Sequence, residues 1–291
     1  MEKKQNKVLK RIGGIGYGLL FILLFYAIQF AVSFVIIIGI TIQLVVGNGG
    51  DISSTIELVQ SKIQKPEFMT ILTCVLTAAT TLVFGIWYKH KFASKKRKAE
   101  WQGIWKLSMR NRNVILFSLA AITCYLLALD VITIMQILIP QAVEDFENMM
   151  SLVTGGNEAV NFLFVVLLAP IGEECLMRGF ILRKLEKVFP VAVAIGIQAC
   201  LFGVLHFNIV QGIYVILLGV ATGYVAYKYR SIIPCIFIHM VYNSLPYILS
   251  LLPDKLLDMD ALWIALPVFP LLLFLILFKF TGEKKKIVQE I

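Results

Sequence analysis

The residues best suited to chemistry lie in the segment Pro170–Phe180, directly after the apolar run Phe162–Ala169. This segment contains two carboxylates, Glu173 and Glu174, and the guanidinium of Arg178. The apolar run is typical of the body of a membrane-spanning helix. A charged side chain near the middle of a bilayer costs about 3 kcal/mol on insertion scales, so residues of this kind usually have a partner and a function.

The spacing of these charges predicts two different environments. On a helix, Glu174 and Arg178 are four residues apart and share a face, which is the spacing of an intrahelical ion pair. Glu173 points about 100° away from that pair, so it is free to face another group. Pro170 removes one helical hydrogen bond, and Gly172 allows a second backbone to approach closely. We therefore expect the helix to bend where the charges begin.

Histidine is rare in this chain, and two of its three histidines lie in apolar runs that we predict to be helical. Asn243 follows His239 by one helical turn and shares its face. Phe202 precedes His206 by one turn, where its ring can form one wall around the imidazole. The third, His90, lies in a basic segment and is predicted to be solvated. Two intramembrane histidines together with a Glu pair favour one shared polar site.

The predicted site combines Glu173, His206, His239 and Asn243. They provide a base, a proton carrier or ligand, and amide or imidazole donors, which are the groups needed to activate water and stabilise an oxyanion. Two histidines and one glutamate also match the ligand set of a catalytic zinc ion with a position left for water. Cys175 has no cationic partner at helical spacing and is predicted to be a packing residue.

The composition places this chain in a membrane. It is 59% hydrophobic and 15% charged, whereas soluble domains average about 45–50% and 25%. The net charge of +9 does not indicate a nucleic-acid partner, because Lys and Arg cluster at the ends of apolar runs, where topology and anionic lipids account for them. The five cysteines lie in apolar segments without a C-x-x-C pair and are predicted to be free thiols.

Eight apolar runs predict an all-α, polytopic transmembrane helical bundle with both termini cytoplasmic. The predicted spans are Ile12–Val46, Phe68–Tyr88, Val114–Ile139, Ala159–Leu182, Val191–Phe207, Val210–Tyr227, Ile232–Leu252 and Ala261–Phe280. Basic connections are assigned to the cytoplasm and acidic ones to the outside. Gly219 and Gly223 form a small-xxx-small pair that predicts close packing of the sixth span.

The chain divides into three predicted parts. Residues 1–158 hold three spans and the basic cytoplasmic loop 89–113, in which Trp101 and Trp105 predict an interfacial helix. Residues 159–252 hold four spans and all the candidate site residues. Residues 253–291 hold the last span and a basic cytoplasmic tail.

Three short motifs, each on a separate predicted span, carry a family resemblance: Glu173-Glu174-x-x-x-Arg178, Phe202-x-x-x-His206 and His239-x-x-x-Asn243. Together they resemble the signature of the CAAX-protease and bacteriocin-processing (CPBP, Abi) intramembrane proteases, which include the CAAX prenyl endopeptidases of eukaryotes. Each motif is weak alone, but three in this order are specific. The resemblance covers roughly residues 159–252.

The resemblance implies an all-helical intramembrane peptidase whose cavity opens towards one side of the membrane. By that likeness, Glu173 and His206 activate the attacking water, while His239 and Asn243 stabilise the oxyanion. The substrate is expected to be a peptide bond of a membrane-associated peptide or protein. The protein is expected to cross the bacterial plasma membrane several times, with membrane lipids as further partners.

The same likeness gives Glu174 and Arg178 a supporting role in the site. The family has been described both as metalloproteases and as metal-free glutamate proteases. A divalent metal such as zinc, held by Glu173, His206 and His239, and a metal-free mechanism therefore both stay open.

A second hypothesis is a non-catalytic bacteriocin-immunity or peptide-binding protein of the same fold, because many bacterial members of the family are linked to immunity or peptide maturation. A proton-coupled transporter is a third hypothesis, since buried Glu and His side chains also serve as proton relays. The sequence disfavours it, because no pair of broken helices recurs in two halves.

One difficulty concerns the depth of His206 in the membrane. Glu173 and His239 lie about 15 and 14 Å from the basic residues that end their spans, whereas His206 lies about 24 Å from Pro190. A strongly tilted fifth span, or one whose first turns lie in the cytoplasm, would place the three at one level, and we predict that arrangement.

Overall fold

The computed structural model describes residues 2–92 and 111–251, and these residues form helices joined by short turns, with no strand among them. In chain order the helices are α1 (Glu2–Gly47), α2 (Ile52–Ile63), α3 (Pro66–Phe92), α4 (Asn111–Leu138), α5 (Pro140–Thr154), α6 (Glu158–Leu185), α7 (Val191–Val204), α8 (Ile209–Tyr229) and α9 (Ile233–Leu249). The predicted all-helical bundle is confirmed. The predicted span Ala261–Phe280, the basic tail and the Trp101–Trp105 helix lie outside the described residues.

Five of these helices, α1, α3, α4, α6 and α8, are long and apolar enough to cross a membrane. They expose large apolar side chains, such as Phe30 at 72% and Ile137 at 77%. Exposed apolar surface of this extent suits contact with lipid. The protein is a multi-pass membrane protein, while the count of eight spans stays a prediction.

Helix α7 is shorter than the predicted fifth span. Its 14 residues extend about 21 Å, less than the roughly 30 Å of a hydrocarbon core. His206 therefore lies in the turn after α7, and the prediction that it lies within an apolar helix is wrong. The helix stops because Phe207 adopts a left-handed backbone, with φ +46°, and because the Asn208 side chain caps the start of α8.

Helix α6 is not a regular α-helix along its length. The stretches Leu163–Leu168 and Cys175–Leu182 are π-helical, and the α-helical turn Ala169–Glu174 lies between them. Pro170 stands at the start of that turn. Short π-helical segments inside helices are frequent at functional sites, and here they flank both glutamates.

Helices α6 and α3 approach each other closely at Gly172. A Cβ at this position would lie 2.6 Å from the Thr81 Oγ1 and 3.1 Å from the Thr81 Cα. Thr81 Oγ1 donates a hydrogen bond to the Leu168 carbonyl at 2.9 Å, which adds a polar link between the two helices. The close approach predicted from Gly172 is confirmed.

Two further contacts fix the helices around this point. The Phe180 ring of α6 packs between Phe21 of α1 and Trp87 of α3, with centroids 5.3 and 4.9 Å away. Helices α7 and α8 also approach each other closely, since a Cβ at Gly219 of α8 would lie 3.0 Å from the Ala199 Cα of α7. The close packing predicted from the Gly219 and Gly223 pair is confirmed at Gly219.

We expect Gly172→Ala to lower the free energy of unfolding by about 1–3 kcal/mol, because the added methyl group overlaps Thr81. Thermal unfolding in detergent measures the change. Gly85→Ala in α3 is the matched control, since a Cβ there meets nothing within 4 Å. Equal stability of the two variants would contradict the close approach of α6 to α3.

Candidate functional site

The centre of the site is the Glu174 carboxylate, whose side chain is fully buried in α6. Its Oε1 accepts a hydrogen bond from Arg178 Nη1 at 2.9 Å, so the predicted ion pair is confirmed. The same oxygen accepts a hydrogen bond from His239 Nδ1 of α9 at 3.0 Å. One carboxylate oxygen therefore joins a guanidinium and an imidazole from two helices.

The Arg178 guanidinium has further partners on two other helices. Its Nη2 donates to the Gly219 carbonyl of α8 at 3.2 Å. Its central carbon lies 4.6 Å from the centroid of the Phe202 ring of α7, the geometry of a cation–π contact. Burying an ion pair is costly unless further contacts offset the loss of water, and these contacts do so for part of the guanidinium, while Arg178 Nε and Glu174 Oε2 have no hydrogen-bond partner among the described residues.

Glu173, the neighbouring carboxylate, faces a different environment. Its side chain keeps 16% of its surface exposed. Its Oε2 lies 3.8 Å from His239 Nε2, which is longer than a hydrogen bond. Together with His206 it lines a cavity of about 170 Å³. The two glutamates thus divide as the helical spacing predicts, one neutralised and one free.

The His206 ring is oriented by its own helix end. Its Nδ1 lies 2.8 Å from the Phe202 carbonyl oxygen, which can only accept, so Nδ1 carries the hydrogen. That carbonyl is available because the His206 backbone N–H bonds to the Gly203 carbonyl instead, at 3.1 Å. In the neutral ring the Nε2 lone pair is then left for another group.

The Phe202 ring brings the two histidines into one site. Its centroid lies 5.0 Å from the His206 ring and 5.8 Å from the His239 ring. The predicted wall beside His206 is confirmed, and the same ring also borders His239. Because α7 is short and His206 lies in the turn after it, His206 reaches the same region as Glu173 and His239.

The Asn243 side chain of α9 hydrogen-bonds to a backbone carbonyl of α6. In the π-helical stretch, the Ala169 N–H bonds to the Phe164 carbonyl, so the next donor in that register belongs to residue 170. Residue 170 is a proline and has no N–H. The Val165 carbonyl is therefore left over, and Asn243 Nδ2 donates to it at 2.8 Å. Within residues 2–92 and 111–251, no hydrogen bond joins Asn243 to the other five predicted site residues.

Helices α1 and α3 contribute residues that the sequence analysis missed. Tyr26 and Gln29 of α1 and Thr77 and Thr80 of α3 line the cavity beside Glu173. The Tyr26 hydroxyl donates a hydrogen bond to the carbonyl of Leu205, directly before His206. A usable signal was present, because these polar residues interrupt otherwise apolar runs.

The predicted metal ligands agree with zinc in type but not in spacing. Nε2 of His206, Nε2 of His239 and the Glu173 carboxylate are donors that zinc accepts. The other ring nitrogens are held by a carbonyl and a carboxylate, as in many metal-bound histidines. However, no group of three or more His, Cys, Asp or Glu side chains in the described part of the chain is arranged to hold a metal ion.

Comparison with known proteins supports the resemblance seen in the motifs. Residues 155–245 match the family model described as Type II CAAX prenyl endopeptidase Rce1-like. The matched segment contains all six predicted site residues, and it confirms the family resemblance over that range. A search of curated proteins and a search of solved structures each gave no significant match.

A double-mutant cycle tests the link between α9 and α6. Asn243→Leu leaves the Val165 carbonyl without its donor, and we expect it to lower the free energy of unfolding by about 1–3 kcal/mol. Pro170→Ala restores a backbone N–H in the register of that carbonyl. The double variant should therefore lose about 1 kcal/mol less than the sum of the two single changes. Strictly additive losses in thermal unfolding would contradict the assignment.

Proposed function

On the premise that residues 155–245 are similar to the type II CAAX prenyl endopeptidases, we propose that this protein is an intramembrane endopeptidase. Its substrate is a peptide bond in a membrane-associated peptide or protein of a bacterial plasma membrane. One observation carries the proposal: Glu173 and His206 line the same small cavity inside an apolar bundle. A free carboxylate and an imidazole beside a buried cavity are the groups that activate water for hydrolysis.

In the proposed reaction, a water molecule lies between the Glu173 carboxylate and His206 Nε2. Glu173 takes a proton from the water as the oxygen attacks the carbonyl carbon, and a tetrahedral intermediate forms. The proton then passes to the leaving nitrogen as the carbon–nitrogen bond breaks. His206 holds the water in line, because its Nδ1–H is fixed to the Phe202 carbonyl and its Nε2 accepts.

The oxyanion of the intermediate needs donors on the opposite side of the attacked carbon. His239 donates from Nε2 only when it is doubly protonated, because its Nδ1–H is committed to Glu174. Asn243 keeps a second amide N–H beyond the one that bonds to Val165. We assign these two groups to the oxyanion, as the family resemblance implies.

Glu174 and Arg178 act as positioning residues in this proposal. They hold the imidazole of His239 by Nδ1 and fix its ring orientation. Both side chains are fully buried. Their contribution to the reaction is therefore indirect, through the placement of His239.

We expect Glu173→Gln to lower the cleavage rate by about 10²–10⁴-fold while the protein folds normally, because the amide cannot accept the proton from water. A comparison of membrane proteomes with and without the variant should reveal an accumulated precursor. Cleavage of that precursor by the purified wild-type protein then gives the rate. Glu158→Gln, an exposed change on the same helix, is the matched control.

Glu174→Gln provides a contrast, because it removes one partner of a buried ion pair. Its free energy of unfolding should fall by about 3–5 kcal/mol, whereas that of Glu173→Gln should change little. If Glu173→Gln leaves both the proteome and the cellular phenotype unchanged, a non-catalytic immunity or peptide-binding function replaces the enzyme.

Chelation and elemental analysis test whether the protein needs a metal ion. Since the donor side chains do not form a group of three, we expect purified protein to cleave its substrate after treatment with a strong chelator. Elemental analysis should find less than one zinc per chain. Stoichiometric zinc, with activity lost on its removal and restored on its return, would instead assign Glu173, His206 and His239 as ligands.

A further inference from the structure

A second and larger cavity, of about 700 Å³, lies among the ends of α1, α3, α6 and α8 that the charge pattern assigns to the cytoplasm. Its volume is within the range of pockets that bind small molecules. It is a separate cavity from that of Glu173 and His206. No residue of the proposed hydrolytic reaction except the positioning residue Arg178 lines it.

The lining of this cavity is strongly cationic. Among the described residues that line it, the single carboxylate is Glu186, which bonds to Arg230 at 2.9 Å. Besides Arg178, which is paired with Glu174, four more cations line the same space: Lys91, Arg183, Lys184 and Lys187. Among the described residues, none of these four has a carboxylate within 4 Å. The described part of the cavity wall therefore keeps a positive charge that its own carboxylate does not neutralise.

Arg183 is held in place without losing its charge. Its guanidinium carbon lies 4.4 Å from the centroid of the Phe92 ring, and its Nη2 donates to the Tyr88 hydroxyl at 3.2 Å. These contacts use one face of the group and one of its five N–H donors. The remaining donors keep the fork geometry that matches phosphate oxygens.

Two lysines are held over aromatic rings in a similar way. Lys91 Nζ lies 5.3 Å from the centroid of Phe180, and Lys184 Nζ lies 5.4 Å from the centroid of Tyr17. A ring face attracts an ammonium group but carries no net charge to cancel it. Fixed cations around an open volume thus favour a compact anion with several oxygens.

We propose that this cavity binds a phosphate-bearing anion, such as the headgroup of an anionic phospholipid or a water-soluble phosphate compound. Arg183 contacts the phosphate through its free N–H groups, and the lysines surround it as point charges. The position suits a lipid of the cytoplasmic leaflet, where basic residues meet anionic headgroups. The proposal concerns binding only and does not depend on the hydrolytic activity.

The test uses the full chain, purified in detergent, and native mass spectrometry of bound lipid. Phosphatidylglycerol is compared with phosphatidylcholine of the same acyl chains, and glycerol phosphate serves as the soluble competitor. We expect phosphatidylglycerol to bind at least about tenfold more tightly than phosphatidylcholine, because only it carries a net negative charge. Arg183→Gln should weaken its binding by about tenfold, the loss of one charge-assisted contact.

Two double variants complete the design. Lys184→Gln with Lys187→Gln removes exposed charges at the cavity and should weaken binding even if Arg183→Gln folds poorly. Lys62→Gln with Lys65→Gln removes the same charge from exposed positions outside the cavity and should have no effect. If glycerol phosphate displaces the lipid, the ligand is a water-soluble phosphate compound. If the lipid stays bound in the presence of glycerol phosphate, the ligand is the lipid headgroup. Equal binding of both lipids, or an equal effect of the two double variants, overturns the proposal.

Discussion

The bundle is organised by the need to pair one buried charge. The Glu174 side chain is fully buried, and breaking a buried ion pair of this kind costs about 3–5 kcal/mol. Its Oε1 receives hydrogen bonds from Arg178 and from His239 of α9. Arg178 in turn donates to the Gly219 carbonyl of α8. The positions of α8 and α9 relative to α6 are therefore set by polar contacts in a part of the molecule where apolar packing alone is weakly directional.

A second constraint comes from the backbone of α6. Pro170 cannot donate in the π-helical register, so the Val165 carbonyl would be unsatisfied in an environment without water. The Asn243 amide supplies the missing hydrogen bond from α9. Helices α6 and α9 are thus joined twice, once by charge at His239 and once by backbone satisfaction at Asn243. The two links are one helical turn apart on α9, so together they fix its rotation about its own axis.

The features that depend on local spacing could be predicted from the sequence. The Glu174 and Arg178 pair, the Phe202 wall beside His206 and the close approach at Gly172 each follow from a helical turn or from a missing side chain. The location of His206 in a turn could not be predicted in the same way, because α7 ends where Asn208 caps the next helix. The Asn243 contact depends on a π-helical register, and the cavity residue Tyr26 is distant in sequence, so both required the assembled bundle.

The two adjacent glutamates have identical side chains, and they differ because their surroundings differ. Glu174 is paired through its Oε1 with Arg178 and His239. Glu173 lies 3.8 Å from the nearest His239 nitrogen and borders an open cavity. For that reason the proposed reaction takes Glu173, and not Glu174, as the base. The two glutamates cannot be interchanged, because about 100° of helical rotation separates Glu174, which bonds to His239 of α9, from Glu173, which borders the cavity.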